Sequence, residues 1–167
     1  MSGPHAGIVD LSVRAVSWLA MLASLTSWRT LKSGVLLFWG AWFTVVFLTN
    51  AFDALKAGRA LPAGWSFASG NWDLMLKVTA VHATPVAVVG LLFLGVIAWE
   101  ALAAVLFWRA WAAGGRGGIA AFTTSLALWA TFALADEVFV AYNLASVHMR
   151  LFGLQLLSVL ALRLLPD

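Results

Sequence analysis

Three carboxylates lie inside apolar stretches of this sequence, where acidic residues are rare. Asp136 and Glu137 are adjacent, with no charged residue over 117–135 or 138–149, and Glu100 lies within a second such stretch. An ionised carboxylate in hydrocarbon costs roughly 2.5–3.5 kcal/mol even on mild insertion scales. We therefore expect each of these acids to have a partner, a function, or both.

The composition indicates that these stretches cross a membrane. Hydrophobic residues make up 63% of the 167 residues and charged residues only 10%, with a mean hydropathy of +0.95. About 25% charged residues is usual for soluble domains. The chain has no cysteine, which excludes thiolate catalysis, disulfides and iron–sulfur clusters. Its ten basic residues are scattered singly, so we expect no nucleic-acid partner.

Four apolar stretches predict an all-α, polytopic four-helix bundle. The first, Ser33 to Phe52, is a 20-residue uncharged run that matches a hydrocarbon core of about 30 Å. Thr84-Pro85 predicts the start of the second span, because threonine is a good N-cap and proline suits the first helical turn. The predicted spans are 33–52, 85–108, 119–142 and 149–165.

The chain before the first span is predicted to be a separate N-terminal segment, 1–32, preceding a transmembrane domain over 33–167. Polar residues at helical spacing between 8 and 28 predict an amphipathic helix that lies on the membrane. The alternative is a fifth span from Ala15 to Trp28, which has only 14 residues between two arginines.

Four crossings put both termini on one side, here called side A, and the opposite side is side B. Six basic residues fall on side A and four on side B. This bias favours side A as the cytoplasmic side, so both termini are expected in the cytoplasm.

Arginines at matching depths are the predicted partners of the three acids. Arg150, at the start of the fourth span, is predicted to pair with Asp136 and Glu137 near side B. Arg163, at the end of that span, is predicted to pair with Glu100 in the side-A half. Small residues on the Glu137 side of the third span predict that Glu137 faces the bundle. The pairs are interpreted as ionic links between helices, and a ligand or ion site built from the same residues is the alternative.

Two histidines, His82 and His148, are predicted at the side-B interface, where several polar residues gather. With a carboxylate they could hold a transition metal, and alone they could clamp a haem between helices. Neither has ligand spacing within one helix, so no cofactor is predicted.

The order of polar residues along the spans adds a resemblance. They are Thr49-Asn50-Ala51-Phe52-Asp53, Trp99-Glu100, Ala121-Phe122, Glu137-Val138-Phe139 and Gly153 to Gln155. This order resembles a bacterial family of predicted small integral-membrane proteins of unknown function, over about 34–167. The resemblance implies a four-span fold and a membrane location, and it implies no activity.

No catalytic motif is recognisable, so the sequence predicts a non-enzymatic accessory or interaction subunit of a larger membrane complex. Its expected partners are the lipid bilayer and other membrane subunits. The prediction rests on an excess of aromatic residues in the spans: Trp39, Trp42, Phe43, Phe47, Phe93, Trp99 and Phe107. The alternatives are a small transporter or ion-binding protein that uses the side-B polar residues, and a haem-binding electron carrier.

Overall fold

The computed structural model describes residues 27–166, which form five α-helices and one 3-10 turn and contain no strand. The helices are α1 (Trp28–Ala57), α2 (Asn71–Thr79), α3 (Val86–Ala112), α4 (Gly118–Val138) and α5 (Tyr142–Leu164), and the 3-10 turn is Ala80–His82. The predicted all-α four-helix bundle is confirmed. The amphipathic helix predicted over 8–28 lies outside the described residues.

Four of these helices, α1, α3, α4 and α5, are long and apolar enough to cross a membrane. The protein is therefore a multi-pass membrane protein. Side A of the bundle holds the first residue of α1 and the last of α5, and side B holds the α1–α2 connection and the α4–α5 turn.

The bundle is held together by aromatic side chains from three helices. Phe107 on α3 stacks on Phe43 at a ring-centroid distance of 5.8 Å and meets Phe122 edge-on at 4.9 Å. Trp129 lies 5.9 Å from Phe43. None of these four residues, here called the aromatic cluster, is more than 5% exposed. The cluster therefore fills the centre of the bundle without a polar atom except the indole nitrogen of Trp129.

The first span is longer than predicted. Ser27 caps α1 by accepting a hydrogen bond from Thr30 N at 3.2 Å, and the helix continues past Phe52 to Ala57. Its 30 residues extend about 45 Å at 1.5 Å per residue. The end of α1 thus reaches well beyond the predicted limit of the span, which places Asn50 deeper in the bundle.

The turn between α4 and α5 differs from the predicted one. The prediction placed the turn at 143–148, whereas α4 ends at Val138 and α5 begins at Tyr142. Val140 has a left-handed backbone (φ 56°), while its N–H donates to Glu137 O and that of Ala141 donates to Asp136 O. These are the two hydrogen bonds of a Schellman motif, which normally carries glycine at this position. The sequence has valine there, so no turn signal was visible.

The segment between α1 and α3, which no predicted span covers, is more than a connection on side B. The chain turns back after α1, and Ser69 N donates to Thr49 O at 3.2 Å. From this point α2 runs toward side B between α1 and α3, with Trp72 packed on Phe93 at 5.9 Å. Trp65 and Phe67, in the loop before it, pack on Phe52 of α1.

Replacement of Gly40 by leucine should destabilise the bundle, because α1 and α3 touch there. A Cβ at Gly40 would lie 3.4 Å from two ring atoms of Trp108, so the larger leucine must displace this ring. We expect a loss of about 1–3 kcal/mol, the usual cost of overpacking, in thermal unfolding followed by circular dichroism. Gly34→Leu on the same helix is the control, since a Cβ there meets nothing within 4 Å. Equal stability of the two variants would contradict this packing.

Candidate functional site

The site is built where α2 meets α1, and its first anchor is Asp53. The Asp53 carboxylate on α1 is buried and accepts hydrogen bonds from Trp72 N at 2.7 Å and Ser69 Oγ at 3.2 Å. Because Gly70, the N-cap residue of α2, has no side chain, it offers no acceptor to the first turn, and Ser69 Oγ accepts only from Asn71 N, at 3.1 Å. Asp53 supplies an acceptor from another helix, and a carboxylate also suits the positive end of the helix dipole. This contact fixes the depth at which α2 begins.

A hydrogen-bonded chain of three side chains starts at this helix end. Asn71 Nδ2 donates to Asn50 Oδ1 at 2.8 Å, and Asn50 Nδ2 donates to both carboxylate oxygens of Glu100 at 2.8 and 2.9 Å. Asn50 and Glu100 are each only 2% exposed, whereas Asn71 is half-buried. This polar chain therefore runs from a deeply buried carboxyl group to the edge of the α2 segment.

Glu100 is a mid-span carboxylate with no cationic partner among residues 27–166. It lies 14 residues after the first residue of α3 and 12 before the last, close to the middle of the helix. In that part of the chain, no lysine, arginine or histidine nitrogen lies within 4.0 Å of it. The predicted pair with Arg163 is wrong: Arg163 is exposed at the side-A end of α5, about 15 Å along the bundle from mid-span. The Asn50 amide takes the place of the expected arginine.

The two ends of the polar chain have different surroundings. Toward side A, the aromatic cluster follows Glu100 directly, with Phe107 two turns further along α3. Toward side B, Asn50 and Asn71 lead to α2 and its exposed preceding loop. The hydrogen bonds of Glu100 therefore lead toward side B, while apolar rings lie between Glu100 and side A.

A second acid, Asp136, is paired with a histidine. Its Oδ2 lies 2.6 Å from His148 Nδ1, and the His148 ring packs on Phe132 and Trp129 at 5.0 and 6.1 Å. The predicted partner Arg150 is exposed, and its Nε donates to Ser146 O. The prediction failed because α5 begins at Tyr142, which places Arg150 two turns inside the helix rather than at its start.

Glu137 points the other way from its neighbour. Asp136 is 5% exposed, whereas Glu137 is fully on the surface, so the prediction that Glu137 faces the bundle is wrong. Successive helical residues lie about 100° apart, so only one of two adjacent acids can face α5. Asp136 lies on the same face of α4 as Trp129 and Phe132, and this face, not that of Glu137, points into the bundle.

The two histidines have separate partners. His82 Nε2 lies 2.7 Å from Val138 O, while His148 is bound to Asp136. In the part of the chain that the structure describes, no three histidine, aspartate or glutamate side chains lie close enough to share a metal ion. The arrangement is that of two hydrogen-bonded links, one between the α2–α3 connection and α4, the other between α4 and α5.

One more polar link joins α4 and α5 inside the bundle. Ser125 Oγ donates to Gln155 Oε1 at 2.6 Å, and both residues are fully buried. Among the described residues, Gln155 Nε2 and Trp129 Nε1 have no hydrogen-bond partner. Together with Asp136–His148, this link makes the α4–α5 pair a unit.

Sequence reasoning identified the buried acid of the site but did not predict the side chains that bind it. Glu100 was singled out from the sequence, and Asn50 was noted in the resemblance, but neither Asn50 nor Asn71 was predicted to be its partner. The usable signal was a pair of asparagines, one near the end of the first span and one at the start of the following short helix, since amide side chains are the neutral donors that a buried carboxylate can use.

No family model, curated protein or solved structure matches this chain. The resemblance to a bacterial family of small membrane proteins therefore stays a prediction, and the function has to be argued from the geometry.

Replacement of Asp136 by alanine should destabilise the protein, because it leaves the His148 imidazole without its partner. Loss of a hydrogen bond to a charged or buried group costs about 1–3 kcal/mol. Glu137→Ala removes the same charge one residue away from an exposed position, and we expect a change within about 0.5 kcal/mol. Thermal unfolding of both variants in the same detergent measures the difference. A larger loss for Glu137→Ala would contradict the observed helix orientation.

Proposed function

We propose that this multi-pass membrane protein is a small proton-coupled transporter or ion-binding protein in which Glu100 binds a proton. The observation that carries the proposal is a buried mid-span carboxylate with neutral amide donors and no cation among the described residues. Acids inside membranes that are retained at this cost commonly mark proton relays and ion pathways. The polar chain to α2 supports exchange of the proton with side B.

A proton suits this site better than a larger solute. Both oxygens of Glu100 face the Asn50 amide nitrogen at hydrogen-bonding distance, which leaves no gap between them for a metal ion or an organic molecule. Asn50 presents N–H groups and not oxygens to the carboxylate, and N–H groups do not ligate cations. A proton needs no extra volume and can be added to the carboxylate in place.

Addition of a proton would reverse the polar chain. A carboxylate only accepts hydrogen bonds, as it does here from Asn50, whereas a carboxylic acid also donates one. A turn of the Asn50 amide by half a rotation would bring its oxygen, an acceptor, to the new O–H group. Asn71 then faces an N–H group and must turn as well. Protonation of Glu100 would thereby change the contact that holds the first turn of α2.

The accessory-subunit role stays a prediction, and its premise is weaker than the sequence suggested. Four of the seven aromatic residues that motivated it, Trp39, Phe43, Phe93 and Phe107, are buried in the bundle. The feature that favours a membrane partner is the exposed surface of α5. In its most apolar 18-residue stretch only 6% of the residues are buried, against 28–33% in the other spans. Lipid also covers such a surface, so the buried carboxylate is the more specific observation.

The charge distribution supports a bacterial cytoplasmic membrane with side A toward the cytoplasm. Arg29, Lys32, Arg109, Arg116 and Arg163 lie near the side-A ends of the described helices. Side B would then face the periplasm, and Glu100 would exchange its proton with that compartment.

Proton binding can be measured directly by infrared difference spectroscopy of the protein in lipid nanodiscs. We expect the wild type to show a carboxylic C=O band at acidic pH, at the high frequency of an acid in an apolar site, that disappears at alkaline pH. Glu100→Gln should lack this band. Glu137→Gln, which changes an exposed acid, should keep it.

The same spectra contain the outcome that contradicts the proposal. If Glu100→Gln and the wild type give the same difference bands, the proton is bound elsewhere or not at all. Glu100→Asp serves as a further variant, because it keeps a carboxyl group and should restore a band at shifted frequency.

Hydrogen–deuterium exchange should report the link between Glu100 and α2. A glutamine at position 100 can donate as well as accept, so it no longer imposes one direction on the Asn50 amide. We expect faster exchange over residues 71–79 in Glu100→Gln, by about tenfold for a loss near 1.4 kcal/mol. Exchange in α4 should stay as in the wild type. An unchanged α2 would show that Glu100 does not act on it.

A further inference from the structure

A cavity of about 880 Å³ opens at side A, at the opposite end of the bundle from the α2 segment. It lies between the first turns of α1, the glycine-rich linker before α4, the start of α4 and the last turns of α5. The proposed proton site uses none of these residues.

The polar part of the cavity wall is basic. Arg29 and Lys32 come from α1, Arg116 from the linker and Arg163 from α5. No acidic residue lines the cavity within residues 27–166. Even the three arginines alone, with no acidic side chain among the described lining residues, make a strongly positive site for an anion. We call it the basic cavity.

The backbone adds hydrogen-bond donors, whose partial positive charge has the same sign as the basic side chains. Gly117, at the N-cap of α4, has a left-handed conformation (φ 85°) that favours glycine, and no side chain caps this helix end. Gly118 and Ile119, in the first turn of α4, line the cavity. The positive end of the α4 dipole therefore points to the same place as the basic side chains.

The rest of the wall is apolar. Leu36 on α1, Phe122 and Leu126 on α4, and Val159 and Leu162 on α5 line the cavity below the basic residues. A free inorganic anion gains nothing from such a surface, whereas a lipid presents a phosphate and acyl chains together. Basic pockets between transmembrane helices are typical binding sites for anionic lipid headgroups.

We propose that the basic cavity binds the headgroup phosphate of an anionic phospholipid, with the first part of its acyl chains against the apolar wall. Residues 1–26 are the competing occupant. They contain one acid, Asp10, and one arginine, Arg14, so they bring no net negative charge to match the three arginines of the cavity. A phospholipid with a net negative charge complements the site in both charge and polarity.

The test compares the melting temperature of the delipidated full-length protein in nonionic detergent with three additions. These are didecanoyl phosphatidylglycerol, didecanoyl phosphatidylcholine and inorganic phosphate. Ligand at about 100 times its Kd raises the melting temperature of a protein of this size by about 5 °C or more. We expect this rise with phosphatidylglycerol and no rise with the other two.

Charge-matched double variants locate the effect. Arg29→Gln/Arg163→Gln removes two cations from the basic cavity and should abolish the rise with phosphatidylglycerol. Arg109→Gln/Arg150→Gln removes two exposed arginines that do not line it and should keep the rise.

Four outcomes would overturn the proposal. An equal rise with inorganic phosphate would show a simple anion site, and an equal rise with phosphatidylcholine would show binding through the acyl chains alone. No rise in the wild type would show that phosphatidylglycerol does not bind and would favour residues 1–26 as the occupant. An equal loss of the lipid-induced rise in both double variants would show an effect of net charge. Because all comparisons use lipid-induced shifts within one variant, a lower starting stability does not change the interpretation.

Discussion

The arrangement of this bundle depends on how a carboxylate is kept inside a membrane. Hydrocarbon offers no water, so every hydrogen bond to Glu100 has to come from the protein. Asn50 supplies them, which fixes the register of α1 against α3. The Asn50 oxygen in turn needs a donor, which Asn71 provides only if α2 folds back into the bundle. The first turn of α2, whose N-cap residue is a glycine, also needs an acceptor, and Asp53 supplies it to Trp72 N. The need to satisfy one buried acid thus explains why α2 folds back between α1 and α3.

Sequence patterns predicted the spans because a membrane helix has a length and composition that few other structures share. The partners of the acids were harder to predict, since charge complementarity favours arginine while the structure uses amide and imidazole groups. Asparagine carries no charge signal, and its value at position 50 depends on the depth that α1 reaches. That depth followed from the extension of α1 to Ala57, which the apolar run alone did not indicate.

The orientation of Asp136 and Glu137 was also not predictable from the sequence pattern. Small residues on the Glu137 side suggested a close helix contact, yet the observed contact is made by large rings on the Asp136 side. Trp129 and Phe132 pack on the His148 ring, so aromatic contact area outweighs close backbone approach at this interface. The Schellman turn at Val140 reinforces the arrangement, because it brings His148 within reach of Asp136. A turn signalled by glycine would have been visible, but one closed by valine was not.

The two ends of the molecule have opposite electrostatic character, and α1 is common to both. At side B, α1 contributes Asn50 and Asp53 to a network of acids and amides, and at side A it contributes Arg29 and Lys32 to the basic cavity. The aromatic cluster separates the two sites, and no described hydrogen bond crosses it. The helix α3 also contributes to both, through Glu100 and Trp111, so α1 and α3 together join the two sites. These two helices approach closely at Gly40, midway along α1 between the sites, so their packing fixes the distance between the buried acid and the basic cavity.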